Sequence, residues 1–157
     1  MGYEKIAGAL LSGRVDHHEL QSTWNRALSL FERGDFAQSI AHTDRSAEIA
    51  AAIYLGTRIL RELNVPSHLL PPLLIAAGGL QGTFSNFFKH SRACGSRRYE
   101  ILCLQNRIEA LVTRRDRVHQ TSSSTDTRRA ATAAFENSLA IIQALAPKCA
   151  ARLSLPV

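Results

Sequence analysis

Apolar positions recur every three or four residues along most of this 157-residue chain, and the first clear run is VDHHELQSTWNRALSLFERG. There Trp24, Ala27, Leu28 and Phe31 share one helical face. Asp16 stands at the N-cap position with Glu19 three residues on, and Gly34 ends the run. Asp35 then caps a second helix, with Gln38 in the reciprocal position. That helix, FAQSIAHTDRSAEIAAAIYLGTRILREL, is expected to run about 28 residues, or about 42 Å. Asn64 and Pro66 stop it.

A third helix is expected over LLPPLLIAAGGLQGTFSNFFKH, opened by Pro71 and Pro72. Its Gly78 and Gly79 either kink it or admit a close neighbour. RACG reads as a turn and Ser96 as a cap, so a fourth helix is expected from Arg97 to His119. Ile101, Leu104, Ile108, Leu111, Arg115 and Val118 form one stripe along it. QTSSSTDT reads as a loop, and RRAATAAFENSLAIIQALA as a fifth helix closed by Pro147. No alternating β-branched segment competes. The pattern predicts an all-α fold, an antiparallel bundle of four to five helices. One domain is expected over residues 1–146, followed by a C-terminal tail over 147–157.

Composition narrows the class. With 45% hydrophobic and 20% charged residues the chain is ordinary globular protein. No apolar run approaches the ~18 residues of a membrane span. The apolar stretch in MGYEKIAGALLSGR is short and lacks a basic leader, so no signal peptide and a cytoplasmic location are expected. Cys94, Cys103 and Cys149 have an odd count and no metal-ligand spacing, which predicts reduced, mostly buried thiols. No metal or cofactor is expected. Formal net charge is +6, and Lys5, Lys89 and Lys148 are the only lysines among 19 basic residues, leaving sixteen arginines. Guanidinium binds phosphate in a bidentate fashion that ammonium does not, so a nucleic-acid or nucleotide partner is favoured.

The densest chemistry lies in LVTRRDRVHQTSSST, where Arg114, Arg115 and Arg117 precede His119. Imidazole moves protons near neutral pH, and guanidinium stabilises the charge developing on a phosphate, which together suit metal-free phosphodiester cleavage. The competing reading is a histidine favoured at a helix C-terminus by the dipole. On an ideal helix Arg115 shares a face with His119, whereas Arg114 is about 140° away. A second copy of the helix across a two-fold axis would pool both pairs in one cleft. Asp44 and Glu48, one turn apart on one helix face, read as partners of Arg45 or Arg58 nearby. Arg97, Arg98, Arg128 and Arg129 either widen a phosphate-binding surface or solvate helix ends. His17 and His18 read as solvated first-turn residues, and Phe84, Phe87 and Phe88 as core or a dimer patch.

Arg114 to His119, with four intervening residues and Val118 just before the histidine, resembles the Arg-x4-6-His motif of the HEPN superfamily. LQSTWNRALSLFERGDFAQSIAHTDRSAEIAAAIYL is similar to the opening hairpin of that family, with its Gly-Asp-aromatic turn and following Ala-Glu pair. The likeness spans about residues 19 to 146. It implies a HEPN-like bundle and a homodimeric, metal-independent endoribonuclease, a toxin or antiviral effector. Arg114 and His119 would be catalytic, Arg115, Asp44 and Glu48 supporting, and Arg117, Arg97 and Arg98 RNA-binding. A nucleotidyltransferase-type antitoxin is an implied partner. Thr121 stands where many bacterial members carry tyrosine, and Arg115 where Asn or Asp is common. The alternatives are an inactive HEPN-like module that binds a protein, nucleotide or nucleic acid, and an unrelated basic bundle that reads only phosphate.

Overall fold

The computed structural model describes residues 17–59, 98–118 and 124–157, with short pieces at 64, 66–69, 72, 76 and 81–82. These are mostly helical, and no strand occurs among them. The helices are α1 (His17–Glu32), α2 (Phe36–Tyr54), α3 (Arg98–Leu102), α4 (Gln105–Val118), α5 (Ser124–Leu145) and α6 (Pro147–Ala150). The expected caps Asp16 and Ser96, the third helix apart from isolated helical residues, and Phe84, Phe87 and Phe88 lie outside the described residues.

The α1–α2 turn follows the sequence closely. The Gly34 N–H donates to Phe31 O at 3.0 Å and the Asp35 N–H to Leu30 O at 2.9 Å. Those two bonds satisfy orphan carbonyls of α1 and require a left-handed residue between them. Gly34 supplies it, at φ +79°. Asp35 serves both helices, because its Oδ1 also accepts from the Gln38 N–H at 3.2 Å at the start of α2.

Among the described residues four long helices, α1, α2, α4 and α5, run alternately up and down. Ser39 Oγ on α2 donates to Ala27 O on α1 at 2.9 Å, closing the first hairpin. Arg107 Nη1 on α4 donates to Asn137 Oδ1 on α5 at 3.3 Å, across a second antiparallel pair joined through residues 119–123. The hairpins meet mainly where α2 lies along α5. There Ser138 Oγ donates to Thr43 O at 3.1 Å, and Thr43 Oγ1 to Ser39 O at 2.7 Å. Ser39, Thr43 and Ser138 are fully buried beside Ala27, Ala47, Ala131 and Ala134. Small side chains let the backbones approach, and each buried hydroxyl then needs a carbonyl. Toward the α1–α2 turn the core becomes aromatic. Trp24 meets Phe135 edge-on at 5.1 Å, and Phe31 stands at 5.8 Å from Phe135 and 5.3 Å from Phe36.

Several expectations are corrected. The long second helix is α-helical only to Tyr54, and Leu55–Ile59 form a π turn. Thr57 Oγ1 donates to Ile53 O at 2.6 Å, taking a carbonyl that a regular ladder would give to the Thr57 N–H. The fourth helix breaks between α3 and α4. The Leu104 N–H bonds three residues back, to Ile101 O at 3.1 Å, and the Ile108 N–H bonds to Leu104 O at 2.9 Å as α4 begins. The stripe survives the break, with Ile101, Leu104, Ile108 and Leu111 all at or below 6% exposure, while Cys103 turns outward, contrary to its expected burial. The serine-rich loop is shorter than expected, since α5 already starts at Ser124. Finally, Pro147 begins a helix as well as ending one, because a proline at the first helical position gives up an N–H that would have no partner. Cys149 and Ala150 are buried behind it, and Trp24 Nε1 donates to Ser154 O at 2.8 Å. The segment read as a tail is therefore laid against α1.

Candidate functional site

The connectivity brings one end of the bundle together. Alternating direction puts the C-termini of α1 and α4 and the N-termini of α2 and α5 at the Gly34 turn. The Arg128 guanidinium on α5 stacks 5.5 Å over the Phe31 ring on α1, which ties the start of α5 to that end. Residues 119–123 span at most about 20 Å, so the end of α4 cannot stray far from it. Arg33, Arg128 and Arg129 are exposed there. Leu28, Phe31, Glu32, Arg33, Phe36 and Arg128 line an open groove of about 680 Å³ on this end, and Ser154–Val157 edge it. Its lining is aromatic and aliphatic, with the guanidinium groups of Arg33 and Arg128 and the carboxylate of Glu32.

Arg114, Arg115 and Arg117 occupy the last turns of α4, so the helix expected to carry the motif exists. Their side chains lie outside the described residues, as do His119, Thr121 and Arg97. Arg98 is the first residue of α3, and its side chain is also outside them. Position 115 lies one turn beyond the buried Leu111, on the stripe that faces α5 and α2.

Asp44 and Glu48 sit one turn apart on α2, as the spacing predicted. They differ in setting: Asp44 is buried at 4% exposure, whereas Glu48 is half-buried. Asp44 therefore belongs to the interior of the bundle. One turn before Ser46, the half-buried His42 is pushed below the usual histidine range by burial, then by Arg26 and Arg45 nearby.

One pair was not foreseen. His17 Nδ1 and Cys149 Sγ are 2.7 Å apart at the other end of the bundle, where α6 returns to α1. The sequence offered both residues and no sign of their meeting, because 132 positions separate them. Among the described residues no three His, Cys, Asp or Glu side chains gather, and no helix is long and apolar enough to cross a membrane. No protein-family model matches the chain, and neither a curated protein nor a solved structure matches it.

Proposed function

We propose that this chain is a metal-independent endoribonuclease of HEPN type, a toxin or antiviral effector that works as a homodimer. The observation that carries the reading is the guanidinium-rich end of the bundle. Exposed Arg33, Arg128 and Arg129 stand where α4, bearing Arg114, Arg115 and Arg117, comes to its end. Such an end attracts the phosphates of a single strand, and the aromatic groove beside it suits nucleobases. In the proposed reaction the RNA 2′-hydroxyl attacks the adjacent phosphorus. His119 takes the hydroxyl proton and returns one to the departing 5′-oxygen, while Arg114 stabilises the phosphorane. The products are a 2′,3′-cyclic phosphate and a 5′-hydroxyl. A two-fold partner would supply the second Arg114/His119 pair, and a nucleotidyltransferase-type antitoxin is the regulatory partner this reading implies.

A second reading has its own support. The exposed Arg33, Arg128 and Arg129 would suffice to hold phosphate without any cleaving group, and Asp44 is enclosed where a supporting catalytic acid would be open to substrate. On that reading the protein is a binding module. Incubation with RNA in EDTA separates the two. Cleavage that leaves cyclic phosphate ends, and that His119→Ala removes, is the outcome expected of the enzyme. Salt-dependent binding with no cleavage would leave the module.

A further inference from the structure

The end of the bundle opposite the arginines carries different chemistry. His17 and Cys149 face one another at 2.7 Å and border a cavity of about 120 Å³, lined among the described residues also by Leu20, Gln21, Lys148 and Arg152. A water claims about 30 Å³ of liquid, so the cavity takes a molecule of a few heavy atoms. Cys149 is 4% exposed, while His17 is exposed and is the first residue of α1. Burial pushes the Cys149 thiol up, and the Arg152 charge pulls it only partly back. Such a thiol stays protonated and unreactive until a base removes its proton. The imidazole beside it is placed to do so.

We propose that His17 and Cys149 form a reactive thiol–imidazole pair, a modification site at which small hydroperoxides oxidise Cys149 to the sulfenic acid. His17 Nδ1 takes the Sγ proton, and the thiolate attacks the outer peroxide oxygen. The S–O bond forms as the O–O bond breaks. The departing hydroxide or alkoxide takes a proton from the imidazolium and leaves as water or alcohol. Sulfur gives up two electrons and the peroxide accepts them. Lys148 and Arg152, on the cavity wall, are the cations that stabilise negative charge as it passes from sulfur to the leaving oxygen. Cys103 has neither arrangement: it is exposed at the break between α3 and α4. This site is independent of the ribonuclease reading, since it uses none of the same residues.

The test treats the intact protein with hydrogen peroxide, traps sulfenic acid with a 1,3-dione and follows Cys149 and Cys103 separately by peptide mass spectrometry. Cys149 is expected to label faster than Cys103 in the folded protein, with the ratio collapsing toward one in guanidinium chloride. His17→Ala is expected to slow Cys149 by about a hundredfold, the lower range for a positioned base, and to leave Cys103 unchanged. His17→Gln, polar but not basic, is measured beside it to separate loss of the base from any loosening of α6. Equal labelling of the two thiols in the folded protein, or a Cys149 rate that His17→Gln leaves untouched, would overturn the assignment.

Discussion

At position 115 a charged residue continues an apolar stripe. Ile108 and Leu111 are buried on that stripe and position 115 continues it, while position 114 is about 100° away around the helix. Arg114→Ala is therefore expected to abolish RNA cleavage and leave the melting temperature nearly unchanged. Arg115→Ala, at the position that continues the buried stripe, is expected to cost stability on the order of 1 kcal/mol. Cleavage lost only in Arg115→Ala, without destabilisation, would exchange the two roles. His42 permits a second prediction. Burial, Arg26 and Arg45 make the folded protein hold this proton less tightly than the unfolded chain does. As pH falls below the ordinary histidine value near 6.5, the unfolded chain takes up the proton first, and stability declines until the folded state is protonated too. Urea unfolding from pH 7.5 to 5 should show a smaller decline in His42→Gln than in the parent. Equal slopes would remove His42 as the cause.

Among elements, the α1–α2 turn is the one whose local chemistry and observed geometry agree best, with one exception: the Asp35 N–H goes to Leu30 O rather than to the Gln38 side chain. Gly34 has nothing within 4 Å of where a Cβ would stand, so a side chain there meets backbone strain rather than a clash. Gly34→Ala is expected to destabilise by about 1 kcal/mol through its left-handed φ. Asp35→Ala should cost about 1 kcal/mol through the lost cap, and Asp35→Asn clearly less. Thermal unfolding of the three variants checks this; an Asn variant as weak as the Ala variant would deny the cap its role. The α3–α4 break and the π turn after Tyr54 were not legible in the same way. Both keep the helical spacing of apolar residues; no glycine or proline marks Cys103, and Gly56 inside the π turn is a residue that a helix also tolerates. What marks them is hydrogen bonding: the Leu104 N–H turns to Ile101 O, and the Thr57 hydroxyl takes the Ile53 carbonyl.

For the whole molecule, alternating helix directions concentrate the exposed guanidinium groups of Arg33, Arg128 and Arg129 at one end. If that end holds single-stranded RNA, the affinity should fall with salt, and each phosphate contact removed should lower the slope of log K against log salt by ~0.7. Arg33→Ala and Arg129→Ala, measured with His119→Ala to prevent cleavage, are expected each to reduce the slope. Unchanged slopes would move the RNA elsewhere on the surface. Half of this arrangement was visible in the sequence, as pairs of arginines at helix ends. The other half was not, because only packing brings α1, α4 and α5 to a common end.

The sequence by itself determined the helical class, the Gly34–Asp35 turn and the apolar stripes of α1 and α4. Each of these follows from interactions within about four residues: a period that matches the helix, a left-handed glycine, a carboxylate one turn from its N–H. Tertiary structure alone decided that Ser39, Thr43 and Ser138 are interior groups, that Asp44 is enclosed while Glu48 is half-buried, and that the stretch after Pro147 packs on α1. It also brought His17 to Cys149. A hydroxyl or carboxylate has no periodic signature that says whether water or a carbonyl will satisfy it, and a pair 132 residues apart has no local term at all. Those outcomes depend on which surfaces the stripes bring together, and that is settled only when the helices close on one another.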